Sequence, residues 1–302
     1  MELHQLQILR ELGALGSVTA VAAQLRVTPS AVSQQLSALQ RGFRTPLTRK
    51  EGRTLMLTAA GEVLAAAGAE AIDAMAAARN ALDDFESDTT GIVTLSGFHS
   101  VGQALFGSLV RELSTSTSSP TVQLTDEDVA QSDFPALTAR YDLVLAHRME
   151  HTAPWPAEGI RSLTLVREPL DIAVAKTHVL ASRKTLTPAD VAGELWVTSR
   201  IGYSPDDVLR AVAAVTNRTI HVQHRINDYG AVSAVVAAGD AIGMLPRYTS
   251  RSADDRDIVR LPLQGVSTHR MIDLLARPEN LRRRSVRVVV EALQRVMTRL
   301  SE

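Results

Sequence analysis

Residues 20–39 read AVAAQLRVTPSAVSQQLSAL and determine the fold of the N-terminal part of the chain. Thr28 suits a helix N-cap, because its hydroxyl can accept a hydrogen bond from a free amide of the following turn. Pro29 suits the first helical position, where its missing N–H costs nothing. The helix that follows carries one apolar stripe at helical spacing, made of Val32, Leu36 and Leu39. The segment therefore predicts two short helices joined by a tight turn, the helix-turn-helix plan.

The second of these helices has short polar side chains opposite its apolar stripe. Together with the start of the helix they give the candidate DNA contacts Thr28, Pro29, Ser30, Ser33, Gln34 and Ser37. A face of this kind, almost free of acidic residues, can enter the major groove and bind base edges. A glutamine amide can pair with adenine there.

A basic hairpin is predicted next, with short strands at 45–47 and 54–57 around a turn that Gly52 permits. Its candidate contacts to phosphates or a minor groove are Arg49, Lys50 and Arg53. Residues 1–61 hold seven Arg and Lys against three Glu, a net +4, whereas the whole chain carries −1, which leaves −5 for the remainder. A locally positive surface suits a phosphate backbone. Ordinary scatter of charge over a small domain is the alternative.

This N-terminal segment resembles the winged helix-turn-helix of the LysR-type transcriptional regulators. The resemblance runs from the first helix to the end of the hairpin, through Leu3, Leu6, Gly16-Ser17, Ala22-Ala23, Leu25, Thr28 to Ser33, Leu36, Leu39, Pro46-Leu47, Gly52-Arg53 and Leu57-Thr58-x-Ala60-Gly61. The chain departs from the family pattern at Gln40, Arg44 and Thr48, where Glu, Gly and Phe are usual. The resemblance implies that residues 1–58 bind double-stranded operator DNA.

Residues 59–88 predict a long linker helix. Small and apolar residues recur there at alternating spacings of four and three, at Leu64, Gly68, Ala71, Met75, Ala78, Leu82 and Phe85. Such a seam is typical of a helix that pairs with its own copy, so a homodimer is expected through this helix. Packing of an Ala-rich helix on its own domain is the alternative. The family resemblance extends the expected assembly to a homotetramer.

From residue 91 to the C terminus strands alternate with helices, which predicts an α/β fold with mainly parallel sheets. This part resembles the effector-binding domain of the same family, which is similar to type 2 periplasmic binding proteins. The residues that carry the resemblance are Gly91 to Ser96, Tyr141 to Leu143, Pro169-Leu170, His178 to Ala181 and, above all, VVAAGDAIGMLP at 235–246. It implies two lobes, lobe I at about 91–162 and 268–302 and lobe II at about 163–267, with crossings near 161–166 and 264–270.

A small effector is expected between these lobes. In open α/β sheets, ligands lie at the carboxyl ends of strands and meet helix N-termini. The corners of this kind give the candidate effector contacts His99, Ser100, Thr198, Ser199, Arg200, Asp228, Tyr229 and Pro246. Hydroxyls, free amides and the Arg200 guanidinium suit a small carboxylate. Three alternatives stay open: helix caps at Ser100 and at Asn227 or Asp228, a structural role for His99, and pairing of Arg200 with Asp206 or Asp207.

Composition limits the other function classes. The chain has 302 residues, 45% of them hydrophobic, no apolar run of transmembrane length and no Cys. Without Cys, disulfides and thiolate chemistry are excluded, and no metal, cofactor or membrane partner is expected. The sequence has no nucleophile elbow, zincin, P-loop or dinucleotide-binding motif. The leading hypothesis is therefore an effector-controlled, sequence-specific regulator in a bacterial cytoplasm. An effector-independent regulator, a solute-binding protein and an enzyme are the alternatives.

Overall fold

The computed structural model describes residues 1–52, 54–86, 89–115, 118–156, 159–201, 203–250 and 256–302. Its N-terminal module consists of α1 (Leu3–Leu15), α2 (Val18–Leu25) and α3 (Pro29–Gln40). As predicted, Ser17 caps α2 and Thr28 caps α3, each accepting a hydrogen bond from the amide three residues later, at 3.1 and 3.2 Å. The inward faces of the three helices meet in one apolar core, which includes Ile8, Leu9, Leu12, Val21, Val32, Leu36 and Leu39.

The hairpin begins three residues later than predicted. Its antiparallel strands are β1 (Thr48–Glu51) and β2 (Thr54–Leu57), joined at Gly52, whose φ of 61° favours glycine. Residues 43–47 form a loop instead, because the Gln40 amide holds them. Its Nε2 donates to the carbonyls of Phe43 and Thr45, and its Oε1 accepts from the Leu47 amide at 2.8 Å. Arg49 therefore lies in β1 and not in the turn.

The linker is one 28-residue helix, α4 (Ala59–Glu86), and its first half packs on α1. Leu64 joins the core of the N-terminal module. A Cβ at Gly68 would come within 3.1 Å of the Leu6 side chain. For Leu64 and Gly68 the predicted pairing with a second copy is wrong, because this face of α4 packs on the N-terminal module of the same chain. Further along, Ala71, Met75 and Ala78 are exposed, while the side chains of Leu82 and Phe85 lie outside the described part of the chain.

The rest of the chain forms the two-lobed α/β domain. In chain order its elements are β3 (Ile92–Gly97), α5 (His99–Leu113), β4 (Thr121–Asp126), α6 (Phe134–Leu137), β5 (Leu143–Met149), β6 (Arg161–Ala175), α7 (Pro188–Val191), β7 (Leu195–Thr198), α8 (Ser204–Thr216), β8 (His221–Arg225), α9 (Tyr229–Ala237), β9 (Ile242–Pro246), β10 (Ile258–Leu261), β11 (His269–Ala276), α10 (Pro278–Arg282) and α11 (Arg284–Ser301). The strand order is β4-β3-β5-β11-β6-β9-β7-β8, with β10 also on β6. Among the described residues no helix has both the length and the apolar character needed to cross a membrane.

A single long strand, β6, joins the sheets of the two lobes. The sequence predicts two strands here, at 163–166 and 170–175, yet β6 is continuous. It pairs with β11 from Arg161 to Pro169 and with β9 from Leu170 onward. The segment 161–166, expected as the first crossing, thus lies within the first lobe's sheet. Pro169 is tolerated because only its carbonyl is needed, which accepts from the Arg247 amide at 3.0 Å.

Candidate functional site

The predicted DNA contacts, called the reading surface below, lie on α3, on the residue before it and on the hairpin. Every member that the structure describes is exposed: Thr28, Pro29, Ser30, Ser33, Gln34, Ser37, Arg49 and Lys50. Arg53 lies outside the described residues. The other face of α3 is buried in the core of the module. One face of the helix therefore stabilises the fold, and the opposite face presents polar groups to the solvent.

Some of these groups are already used within the module. The Thr28 hydroxyl accepts the cap bond, and the Ser33 hydroxyl donates to the Pro29 carbonyl at 3.0 Å. Gln34 is exposed and carries a donor and an acceptor on one amide, which is the pattern that pairs with adenine. Arg49 forms an ion pair with Glu51 at 3.4 Å, with both side chains 63% exposed. Such a pair is weak in water, which leaves Arg49 able to turn toward a phosphate.

The second candidate site is the cleft between the lobes, where β3 and β7 end and α5 and α9 begin. A cavity there is lined by Phe98, His99, Ser100, Asp128, His147, Ser199, Tyr203, Pro205, Asn227, Tyr229 and Arg270. Four of the predicted effector contacts are thus brought together: His99, Ser100, Ser199 and Tyr229. The cavity measures about 20 Å³, which is room for roughly one water molecule. The lobes are therefore closed on each other in this structure.

Contacts across the mouth of the cleft hold the lobes together. The side-chain Nδ2 of Asn227 donates to Asp128 Oδ2 at 3.2 Å, and the Tyr203 hydroxyl donates to the backbone carbonyl of Asp128 at 3.3 Å. Arg200 Nη2 lies 3.7 Å from Asp128 Oδ2 and its guanidinium sits over the Tyr203 ring. Both suggested partners of Arg200 are wrong, because Asp206 pairs with Arg225 and Asp207 with Arg210.

His99 bridges carboxylates of the two lobes. Its Nδ1 lies 3.0 Å from Asp126 Oδ2, and its Nε2 lies 2.9 Å from Asp228 Oδ2. The hydrogen bond to Asp126 is the largest cause that raises the pKa of His99, with Asp228 adding to it and partial burial opposing it. The charged imidazolium can donate to both carboxylates at once. His99 therefore has a structural role in this arrangement, because it links Asp126 of the first lobe to Asp228 of the second.

The remaining predicted contacts differ in their roles. Ser100 is not a helix cap, because α5 begins one residue earlier and Phe98 takes the cap position. Asp228 does cap α9, as its Oδ1 accepts from the Ala231 amide at 2.7 Å. Pro246 ends β9, outside the residues that line the cavity, and its carbonyl accepts from Arg260 at 2.8 Å.

Thr198 is the last residue of β7, and Ser199, which follows it, lines this cavity. Both are buried, at 2% and 5% exposure. In the described part of the protein, neither hydroxyl has a hydrogen-bond partner. A buried hydroxyl without a partner is unfavourable, so these two groups offer unused hydrogen-bonding capacity in the second lobe.

A buried ion pair lies at the base of the cleft, and no pattern in the sequence marks its two residues. Arg270 and Glu168 are 1% and 0% exposed, and their side chains meet at 2.8 Å. Glu168 also accepts from the amides of Tyr248 and Thr249, both at 2.7 Å. Arg270 Nη2 donates to Thr249 at 2.6 Å and lies 3.3 Å from the Ser100 hydroxyl. The pair thus connects groups from both lobes, and each partner makes further hydrogen bonds that offset the burial of its charge.

Two aromatic residues and a histidine complete the base of the cleft. The Arg270 guanidinium lies 5.2 Å from the centre of the Phe98 ring and 5.8 Å from that of Tyr229. His147 packs edge-on against Phe98 and Phe134. Burial, with the nearby charge of Arg270 adding to it, lowers the pKa of His147 to about 3. His147 is therefore a neutral core residue at physiological pH.

The chain has a winged helix-turn-helix, a long linker helix and two lobes that close over a polar cleft. This combination defines a DNA-binding regulator with a small-molecule-binding domain. Comparison with known families agrees. The family described as "Bacterial regulatory helix-turn-helix protein, lysR family" matches residues 3–62, and "LysR substrate binding domain" matches residues 86–298. The chain belongs to the LysR-type transcriptional regulators.

Three similar proteins illustrate the range of relatives. The chain is 22% identical over 274 residues to the uncharacterised HTH-type transcriptional regulator YybE of Bacillus subtilis, covering 91% of each chain. A full-length OxyR variant of Pseudomonas aeruginosa matches at a TM-score of 0.68 and 14% identity, over 98% of this chain and 94% of that one. The effector-binding domain of QuiR in complex with shikimate matches at 0.56 and 17% identity, over 70% of this chain and 98% of that one. At such identities the two structures show the shared fold alone.

Proposed function

We propose that this regulator reads its operator in the cytoplasm through α3 and the basic hairpin, under the control of a small molecule held between the lobes. One observation carries the first half of the proposal. All described members of the predicted reading surface are exposed, while the opposite face of α3 is buried in the module. Gln34, Ser37 and Arg49 are therefore free to contact DNA without loss of the fold.

The test of the reading surface compares two neighbouring glutamines. Gln34→Ala should weaken binding to the operator by about 1–3 kcal/mol and relax preference at one base step per half-site. Gln35→Ala is the matched control, since the Gln35 amide is turned inward and accepts from Gln5 at 3.3 Å. Anisotropy titrations on operator and scrambled duplexes separate the two effects. Equal weakening of Gln34→Ala on both duplexes would contradict base reading by α3.

A ligand in the cleft is supported by the unused hydrogen-bonding groups there. Thr198 and Ser199 offer hydroxyls, and α5 starts without a side-chain cap, so its first amides can bind an anion. The complex of the QuiR domain with shikimate, a carboxylate, agrees with this choice. We therefore propose a small carboxylate. Ser100 and Arg270 at the base would bind the carboxylate, away from Asp126, Asp128 and Asp228 at the mouth, which repel an anion.

Closed lobes also fit a switch. A ligand shifts an equilibrium only if it binds one arrangement better than another, and the cavity of about 20 Å³ is much smaller than the roughly 300–1,000 Å³ usual for a ligand pocket. Binding must therefore follow opening, which separates His99 from Asp228. The closed arrangement and the arrangement that binds the ligand would then differ in the distance between the lobes.

The effector test uses Ser199→Ala, which removes a buried, unpartnered hydroxyl from the lining of the cavity. In the free protein the change should be neutral or stabilising, because an unsatisfied polar group is removed. Affinity for a small acid found by thermal-shift screening should fall about tenfold, the loss of one ligand hydrogen bond. Thr216→Val, in the same lobe but away from the cavity, is the control. Equal calorimetric affinity in both variants would place the site elsewhere.

Assembly through α4 is the last part of the proposal. Beyond the segment that packs on α1, the helix leaves Ala71, Met75 and Ala78 exposed, and Met75 is 44% exposed. A small and apolar helix face of this kind favours close pairing with a second copy, which would bring two reading modules to a two-fold operator. Further contacts between the two-lobed domains would join such dimers into the tetramer.

A further inference from the structure

The DNA-reading module is tied to the two-lobed domain of the same chain by a buried ion pair. Glu11 lies on α1 and is 2% exposed, although every other residue of that helix with so little exposure is apolar. Its carboxylate faces the guanidinium of Arg277, which directly follows β11 and is 9% exposed. Nη2 donates to Oε2 at 2.9 Å, and Nη1 donates to Oε1. This two-bond geometry fixes orientation as well as distance.

Two more ion pairs surround this one. Arg10 Nη1 lies 2.7 Å from Glu279 Oε1, at the start of α10. Arg282, at the end of α10, holds Asp73 of the linker helix through two bonds of 2.7 and 2.9 Å. Three arginines thus meet three carboxylates, and α10 packs against α4 between them. Each arginine has one carboxylate partner, so these pairs define how the N-terminal module and the linker helix lie against α10 and the end of β11.

Strand β11 connects this contact with the effector cleft. Arg270 marks the cleft end of the strand, and Arg277 follows its other end. Asp273 lies between them at 1% exposure, and it accepts from Arg148, Trp155 and Thr164 at 2.9, 2.7 and 2.6 Å. Seven residues of extended chain span about 23 Å. Paired with β5 on one side and with β6 on the other, the strand is a rigid element between these two charges.

A purely structural reason for Glu11 is weak. An apolar side chain of similar volume would fill the site without the cost of removing a charge from water, so a buried ion pair is poor evidence for stability. Its attested use is to specify one arrangement over others. Once the module separates from α10, both Glu11 and Arg277 regain water, so the undocked form is accessible too.

We propose that Glu11 and Arg277 form a clamp that sets the position of the DNA-reading module, and that β11 couples this clamp to the cleft. Both are positioning residues: they hold α1, and through it α3, at a fixed place relative to the effector domain. Opening of the lobes shifts Arg270, and the strand transmits that shift to Arg277. The coupling part rests on the proposed function of the cleft, whereas the clamp itself does not.

The clamp is tested by a distance measurement on the full chain. The sequence has no Cys, so His4→Cys and Val179→Cys, both at exposed positions, give the only two spin-label sites. Diluting labelled with unlabelled chains keeps the distance within one chain. Arg277→Gln should broaden the narrow distribution expected for the parent. Combining Glu11→Arg with Arg277→Glu should restore it, and Arg295→Gln, an exposed arginine of α11, should leave it unchanged. An unchanged distribution in Arg277→Gln would overturn the clamp.

Two further readouts test the coupling. Glu168→Gln removes the partner of Arg270 at the cleft end of β11, and it should broaden the same distance distribution; no broadening would overturn the relay along β11. On DNA, Arg277→Gln should lose the preference for the native half-site spacing over an operator with two inserted base pairs, while Arg295→Gln keeps it. A retained preference in Arg277→Gln would overturn the positioning role. A parent protein that prefers no DNA sequence would instead refute the proposed function and leave the clamp standing.

Discussion

The buried pair at the base of the cleft gives a stability prediction whose size follows from burial. Glu168→Gln keeps the shape of the side chain and leaves the Arg270 charge without its counter-ion, at 1% exposure. Breaking a buried pair in this way costs about 3–5 kcal/mol, because the remaining charge is uncompensated. With a urea m-value of about 3 kcal/mol per M for a domain of this size, the midpoint should fall by about 1 to 2 M.

The assay is equilibrium urea unfolding followed by tryptophan fluorescence. Both tryptophans, Trp155 and Trp196, lie in the two-lobed domain, so the signal excludes the DNA-reading module. Glu150→Gln is the matched control, because Glu150 is 39% exposed and bonds to Arg167 on the surface. Such pairs contribute at most about 1 kcal/mol. A Glu168→Gln midpoint no lower than that of Glu150→Gln would show that burial does not set the cost of losing the pair.

Four more outcomes are expected. Met75→Glu places like charges on the proposed pairing face of α4 and should dissociate the dimer in sedimentation; an unchanged oligomer would exclude this face. His147 has a pKa of about 3 when folded, so only the unfolded chain gains a proton as pH falls from about 6.5 to 3. Stability should then drop by up to about 1.4 kcal/mol per pH unit, and His147→Phe should flatten that slope in urea titrations. The pKa of His99 is raised, so its contribution to the free energy of unfolding is present below about pH 6.5 and is lost as pH rises through the pKa of the folded state. His99→Gln should remove this loss of stability at higher pH, and a loss that persists in the variant would assign it to another group. Gln40→Ala removes three bonds that hold the loop before β1, and should lower the melting temperature of the N-terminal module while Gln35→Ala lowers it less.

Features set by neighbours in sequence could be predicted, and features set by distant residues could not. The caps Ser17 and Thr28, and the buried stripe of α3, follow from residues within one turn of each other. The start of β1 was misplaced because Gln40 reaches seven residues ahead to Leu47, a contact without a local pattern. The break within β6 was misjudged because Glu168 is polar yet buried, through a partner 102 residues away.

The candidate effector site shows the same division. Strand ends and helix starts placed the candidates His99, Ser100, Ser199 and Tyr229 together, and they line one cavity; their contact with an effector stays a prediction. The charges that dominate its base were missed, because β11 was not predicted and Arg270 has no sequence motif around it. For Leu64 and Gly68 the heptad spacing was real, but the same spacing serves a helix that packs on its own module. Periodicity identifies a buried face and leaves the identity of its neighbour open.

A transcriptional regulator must distinguish one DNA sequence from another, and competition binding measures that distinction. A fragment selected from the DNA around the gene for this chain is titrated against its scrambled version at several salt concentrations. We expect a preference of at least about a thousandfold for the selected fragment at physiological salt, together with a linear fall of log affinity with log salt on both duplexes. Equal affinity for the two duplexes at every salt concentration would contradict sequence-specific reading.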